Sequence, residues 1–157
     1  MLLISLKSLK GKFILLMAAV VAVVIVCTVL SASENTAASP ADGSPDYSAA
    51  TQDDITSFIN QLGLTVKSEP DSITQVLIPS EFDDVYTNYN ELQKQAGLDL
   101  SPYKGCTAKR WTYTVSNYPE YENSNTVRLN ILVYNGRIIG GDICSVELDG
   151  FMHSLAR

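Results

Sequence analysis

The sequence predicts an α+β protein: one N-terminal transmembrane helix, then a small two-layer domain. Three observations predict it. Residues 13–30 carry no charge, two later segments repeat apolar residues at helical spacing, and the C-terminal third alternates apolar and polar residues with period two. The expected order in the domain is helix, two strands, helix, three-strand antiparallel meander.

The apolar run comes first. Between Phe13 and Leu30 the only hydroxyl is Thr28, and a helix of that length rises roughly 27 Å, enough to span a hydrocarbon core. Lys7, Lys10 and Lys12 precede it without an acid, and the next basic residue is Lys67. That asymmetry assigns residues 1–12 to a cytoplasmic tail, 13–30 to a single-pass plasma-membrane anchor, and the rest to the extracytoplasmic side. Two alternatives stay open. Ser31, Ala32 and Ser33 suit cleavage of a signal peptide. Cys27 is a candidate for lipid modification, although bulky Val26 precedes it where such processing favours a small residue.

After Leu30 eight basic residues face seventeen acidic ones. Such a surface suits solubility at a cell surface and excludes nucleic acid as a partner. Residues 31–52 are mostly Ala, Ser, Thr and Pro, with Tyr47 as their one large apolar side chain, and read as a flexible linker with a reach of roughly 26 Å. Residues 53–157 then form one domain.

Within the domain, Thr51 as N-cap, Asp53 and Asp54 in the first turn, and Ile55, Phe58, Ile59 and Leu62 at helical spacing predict a helix that Gly63 stops. Strands are expected over 64–67 and 73–78, separated by Glu69, Pro70, Asp71 and Ser72. Ser80 is the expected N-cap of a second helix, with Asp83 as its capping-box acid and Phe82, Val85, Tyr86, Tyr89 and Leu92 on one face up to Gly97. Trp111, Tyr113 and Val115 alternate with polar neighbours, as do Val127, Leu129, Ile131 and Val133 after a polar loop. Asn135 and Gly136 signal a type I′ hairpin, from which a strand returns over 137–148. One core is expected, between both helices and one sheet face, from Phe58, Ile59, Leu62, Val85, Tyr89, Trp111, Leu129, Ile131, Val133 and Ile138.

Phosphate-cradling loops, dinucleotide fingerprints, paired CxxC ligands, HExxH and the calcium-loop pattern are all absent. No cofactor and no metal site is expected, because Cys106, Cys144 and His153 are the only nitrogen or sulfur ligands outside the apolar run. Cys144 and His153 form a conceivable nucleophile and base, but Cys144 alternates with Val146 and Leu148, a phase that suits a small buried hydrophobe. Counting back from the hairpin sets Asp142 opposite Leu129, on the apolar face. Either a bulge at Gly140 and Gly141 turns it out, or it is buried and hydrogen-bonded. Tyr118 and Tyr121 flank Pro119 in the polar loop, where amphipathic rings can rim a recognition surface. Asp142, Tyr118, Tyr121 and His153 are therefore the candidate binding residues, with no catalytic residue assigned.

Two stretches, VLIPSEFDDVYTNYNELQKQAGLDLSPYKG at 76–105 and NILVYNGRIIGGDICSVELDGFMHSL at 130–155, resemble the family catalogued as domain of unknown function 4830. The resemblance implies a short anchored envelope protein of Gram-positive anaerobes and carries over no catalytic or binding residue. The functional expectation is a non-catalytic binding or interaction module with an envelope protein or peptide as partner. The alternatives are a small hydrolase or thiol enzyme using Cys144, His153 and Asp142, and a purely structural envelope protein. Cys106 and Cys144 are expected at opposite ends of the meander, roughly 26 Å apart at the strand rise, and so as free thiols.

Overall fold

The computed structural model describes residues 45–156, which lie within the compact unit Asp42–Arg157. The expected tail, the apolar run 13–30 and most of the linker fall outside the described residues. Among those described, no helix is long and apolar enough to cross a membrane.

Five strands form one antiparallel sheet in sequence order: β1 (Ser72–Leu77), β2 (Thr107–Thr114), β3 (Val127–Tyr134), β4 (Arg137–Ser145) and β5 (Met152–His153). Helix α1 (Gln52–Gln61) precedes the sheet in sequence and α2 (Asp84–Gln95) joins β1 to β2, followed by a 3-10 turn at Ser101–Tyr103.

Local chemistry sets the element ends. Thr51 and Asp54 form a reciprocal capping box, with Asp54 N donating to Thr51 Oγ1 at 3.2 Å and Thr51 N to Asp54 Oδ2 at 2.8 Å. The second helix starts later than its sequence suggests. Asp83, not Ser80, is its N-cap, because the Asp83 carboxylate reaches Tyr86 N at 2.7 Å. The hairpin of Asn135 (φ 47°) and Gly136 (φ 74°) forms as its dipeptide requires.

Two expected strands change. Residues 64–67 make only one bridge, Val66 to Val115, because the Asn117 side chain occupies the backbone of this segment. Asn117 accepts from Thr65 N at 2.7 Å and donates to Gly63 O at 2.9 Å. The strand expected over 137–148 ends at Ser145, and the chain turns back to add β5. The end of the expected linker also belongs to the domain. Ser48 bridges Arg137, and the Tyr47 hydroxyl donates to Ala96 O at 2.7 Å.

The largest departure concerns layers. Both faces of the sheet are covered, by different helices, so the two-layer expectation does not hold. Ile55, Phe58 and Ile59 of α1 pack on Tyr113, Val115, Val127, Leu129, Ile131 and Ile138. A second cluster on the opposite face joins Ile78, Leu100, Ala108, Leu132 and Ile139, with Phe82, Tyr86 and Tyr89 packed against it. The expected single core is thus divided. Tyr89 lies on the second face, and Val85 is 76% exposed and belongs to neither cluster.

Candidate functional site

A bulge creates the site. Leu132 pairs with Gly140 and Val133 with Ile138, which leaves Ile139 without a partner. Beyond it the β4 register shifts by one residue, so Leu129 faces Ile143 and Asn130 faces Asp142. Asp142 therefore leaves the α1 face for the α2 face. The second branch of the sequence expectation holds: the acid is buried at 4% exposure with its hydrogen bonds made, and the bulge, at Ile139 and not at Gly140 and Gly141, moves it to the α2 face without turning it out to solvent.

Helix α2 and strand β3 supply those bonds. The Tyr89 hydroxyl donates to Asp142 Oδ1 at 2.9 Å, and Asn130 Nδ2 donates to Asp142 Oδ2 at 2.9 Å. Asn130 Oδ1 accepts from Thr112 Oγ1 at 2.9 Å, so the chain of bonds crosses from α2 through β4 and β3 to β2. Gln93, wholly buried, closes the gap left at the strand edge: its Oε1 accepts from Gly141 N at 2.7 Å. A Cβ on Gly141 would stand 2.4 Å from Asn130 O and 2.7 Å from Leu155 Cδ1, so only glycine fits there.

Burial and the adjacent carboxylate set the proton affinities. Burial, then Asp142, push the Tyr89 hydroxyl well above its ordinary value. Burial, again ahead of Asp142, pushes the Cys144 thiol up to about 11. At neutral pH both are therefore protonated. Asn130 Nδ2 also lies 3.6 Å from Cys144 Sγ.

Cys144 pairs with Met152 and Ile143 with His153, so the thiol and the imidazole lie on opposite faces of the sheet. A nucleophile–base pair needs hydrogen-bond reach, and this geometry denies it. Cys106 and Cys144 are both free, as their places at opposite ends of the strands require. No cluster of three potential metal ligands occurs among the described residues.

The remaining candidates converge. His153 Nδ1 and the Tyr118 hydroxyl are hydrogen-bonded at 2.7 Å, and Phe151 stacks on Tyr118 with ring centroids 5.0 Å apart. Tyr121 meets Phe151 edge-on at 5.3 Å. These rings and Glu120 line an open cavity of about 520 Å³. Tyr118, Tyr121 and His153 thus share one site, and Asp142 lies on the other face.

Sequence reasoning missed a third feature. Val85, Tyr86, Asn88, Tyr89 and Leu92 of α2 line, with Met152 of β5, an apolar pocket of about 380 Å³. It shares Tyr89 with the Asp142 network, so the same helix lines the pocket and holds the buried acid. Helical spacing marked Val85, Tyr86, Tyr89 and Leu92 as one apolar face and assigned Val85 and Tyr89 to the core; Met152 carries no signal until β5 is known.

No curated protein and no solved structure matches the chain. A family model matches residues 58–143, from within α1 through α2 and the bulge to the residue after Asp142, and on that match the chain belongs to the family described as domain of unknown function 4830.

Proposed function

We propose that the chain is a non-catalytic binding module, held at the outer face of the membrane by residues 13–30, that takes an apolar segment of an envelope protein or peptide. The observation that carries this reading is the apolar pocket of α2 and Met152. Val85 of α2 and Met152 of β5 are 76% and 51% exposed there, and α2 is fixed to the sheet by Tyr89 and Gln93. Anchoring rests on the uncharged run and on the lysines before it. Against the thiol-enzyme alternative stand the separation of Cys144 from His153 and a thiol held protonated. A purely structural protein has no need of an exposed apolar pocket beside a rigid helix.

The test compares the full anchored chain with Val85→Glu and Met152→Glu in quantitative affinity enrichment from envelopes. One defined envelope component is expected to be enriched by the parent chain and lost, by at least about tenfold, with either variant at unchanged melting temperature. Enrichment indifferent to both substitutions, or no envelope component at all, defeats the proposal.

A further inference from the structure

The sheet treats its two edges differently. The outer edge of β4 is closed three times. Residues 47–49 bond to it at Gly136 and Ile138, Gln93 takes the Gly141 amide, and β5 pairs at Ile143 and Cys144. At the other edge, β1 has no neighbouring strand beyond it among the described residues. Its six residues, Ser-Ile-Thr-Gln-Val-Leu, contain no charge and no proline, and its register with β2 runs without a bulge. None of the devices that usually guard an edge is present within it.

The backbone phase of β1 can be read from its end. Ile78 N donates to Cys106 O at 2.9 Å, so alternation directs the even-numbered residues toward β2 and turns the N–H and C=O groups of Ile73, Gln75 and Leu77 outward. The side chains of these residues share the face of their cross-strand partners Trp111, Lys109 and Thr107. Ile73 is 49% and Leu77 67% exposed. Both stand two positions from Gln75, one on each side.

We propose that β1 is the contact between two copies of this chain, paired antiparallel about a two-fold axis at Gln75. In that register Ile73 of each copy meets Leu77 of the other, and the two Gln75 residues face each other. The outward backbone groups of Ile73, Gln75 and Leu77 all find partners. A slip of one residue loses this, because it sets Ile73 against Val76, whose side chain is on the opposite face and whose backbone already bonds to β2. The symmetric spacing favours a second copy over an unrelated peptide, since an isologous contact requires one patch to complement itself. Both copies are acidic after Leu30, and the uncharged edge is where their mutual repulsion is least. One strand pair buries less than the ~1,200 Å² of a stable interface, so the contact is weak and cross-linking is the measurement suited to it.

The test places a cysteine on the axis. In the full chain purified in mild detergent, Gln75→Cys brings two Cα atoms to about 5.5 Å across a hydrogen-bonded pair, within disulfide range. Thr74→Cys faces Val76 of the other copy instead and points to the other side of the sheet. The parent chain controls for Cys27, Cys106 and Cys144. Under mild oxidation Gln75→Cys is expected to yield about tenfold more disulfide-linked dimer than Thr74→Cys or the parent chain. Adding Ile73→Lys to Gln75→Cys should return the yield to the Thr74→Cys level, with an unchanged melting temperature. Equal yields at the two positions, a yield indifferent to Ile73→Lys, or a cross-linked product of another mass would each overturn the proposal, the last by naming a different occupant of the edge.

Discussion

The two faces of the sheet are built on different principles. On the α1 face an apolar helix stripe meets an apolar strand stripe, and the buried residues of α1, Ile55, Phe58 and Ile59, are held there by packing. Two polar atoms there, Trp111 Nε1 and Tyr113 Oη, are buried without a partner among the described residues. On the α2 face, by contrast, the helix is fastened by polar side chains. Asn90, Gln93 and Asp142 are all buried, and each has its partners: Asn90 accepts from Leu100 N at 2.7 Å and donates to Asp99 at 2.8 Å. Burial without direction tolerates small shifts of packing. A network of directed bonds holds one arrangement, and the exposed pocket lies on the helix held in this way.

That comparison makes the dry face the larger source of stability. Phe58→Ala is expected to cost ~3–5 kcal/mol, since Phe58 is wholly buried at the centre of the α1 cluster and nothing nearby can fill the void. Urea unfolding at constant slope measures it. Asp142→Ala should cost less, ~1–3 kcal/mol, by leaving the Tyr89 hydroxyl and Asn130 Nδ2 without their acceptor. Combining Asp142→Ala with Tyr89→Phe should then cost less than the sum of the two single variants, because the second removes a donor that the first had orphaned. Additive costs would mean that the bond between Tyr89 of α2 and Asp142 of β4 contributes nothing to fastening the helix.

The same contrast explains what could be read in advance. Period 3.6 in 52–61 and period two in Val127, Leu129, Ile131 and Val133 each report a buried stripe, so α1 and its sheet face were legible. Asn135 and Gly136 likewise declared their turn. The α2 face was not, because its decisive features are local exceptions: one unpaired residue, Ile139, reverses every side chain after it. Leu132, apolar among the polar residues of its face, and the adjacent Ile138 and Ile139 were the available hints that both faces are covered. Tyr118, Tyr121 and His153 were singled out separately, yet their meeting depends on β5, two residues long and below the reach of periodicity. Asn90 and Gln93 look like ordinary solvent-facing helix residues; only the backbone groups they satisfy distinguish them.

The smallest expected effect separates the faces by pH. Tyr89 and Cys144 both hold their protons in the folded state above the pH at which free side chains lose them, ordinarily 10.0 and 9.0. The unfolded chain thus binds fewer protons than the folded one at alkaline pH, and stability must fall as pH rises. For Cys144 the loss begins near 9 and runs to about 11, and Tyr89 extends it upward from about 10. Below pH 8 neither group contributes any slope. The α1 face also holds a tyrosine, Tyr113, raised to about 12 by burial and then by Glu69, so the alkaline limb alone does not assign its origin. Substitution does. Tyr89→Phe and Cys144→Ser each remove one titration from the α2 face, and the urea midpoint measured from pH 8 to 11 should fall less steeply in both than in the parent chain. Tyr113→Phe should leave the portion below pH 10 unchanged. If Tyr113→Phe flattens that portion and Cys144→Ser does not, the alkaline sensitivity there belongs to the α1 face and the assignment of a proton-holding thiol to the Asp142 network is wrong.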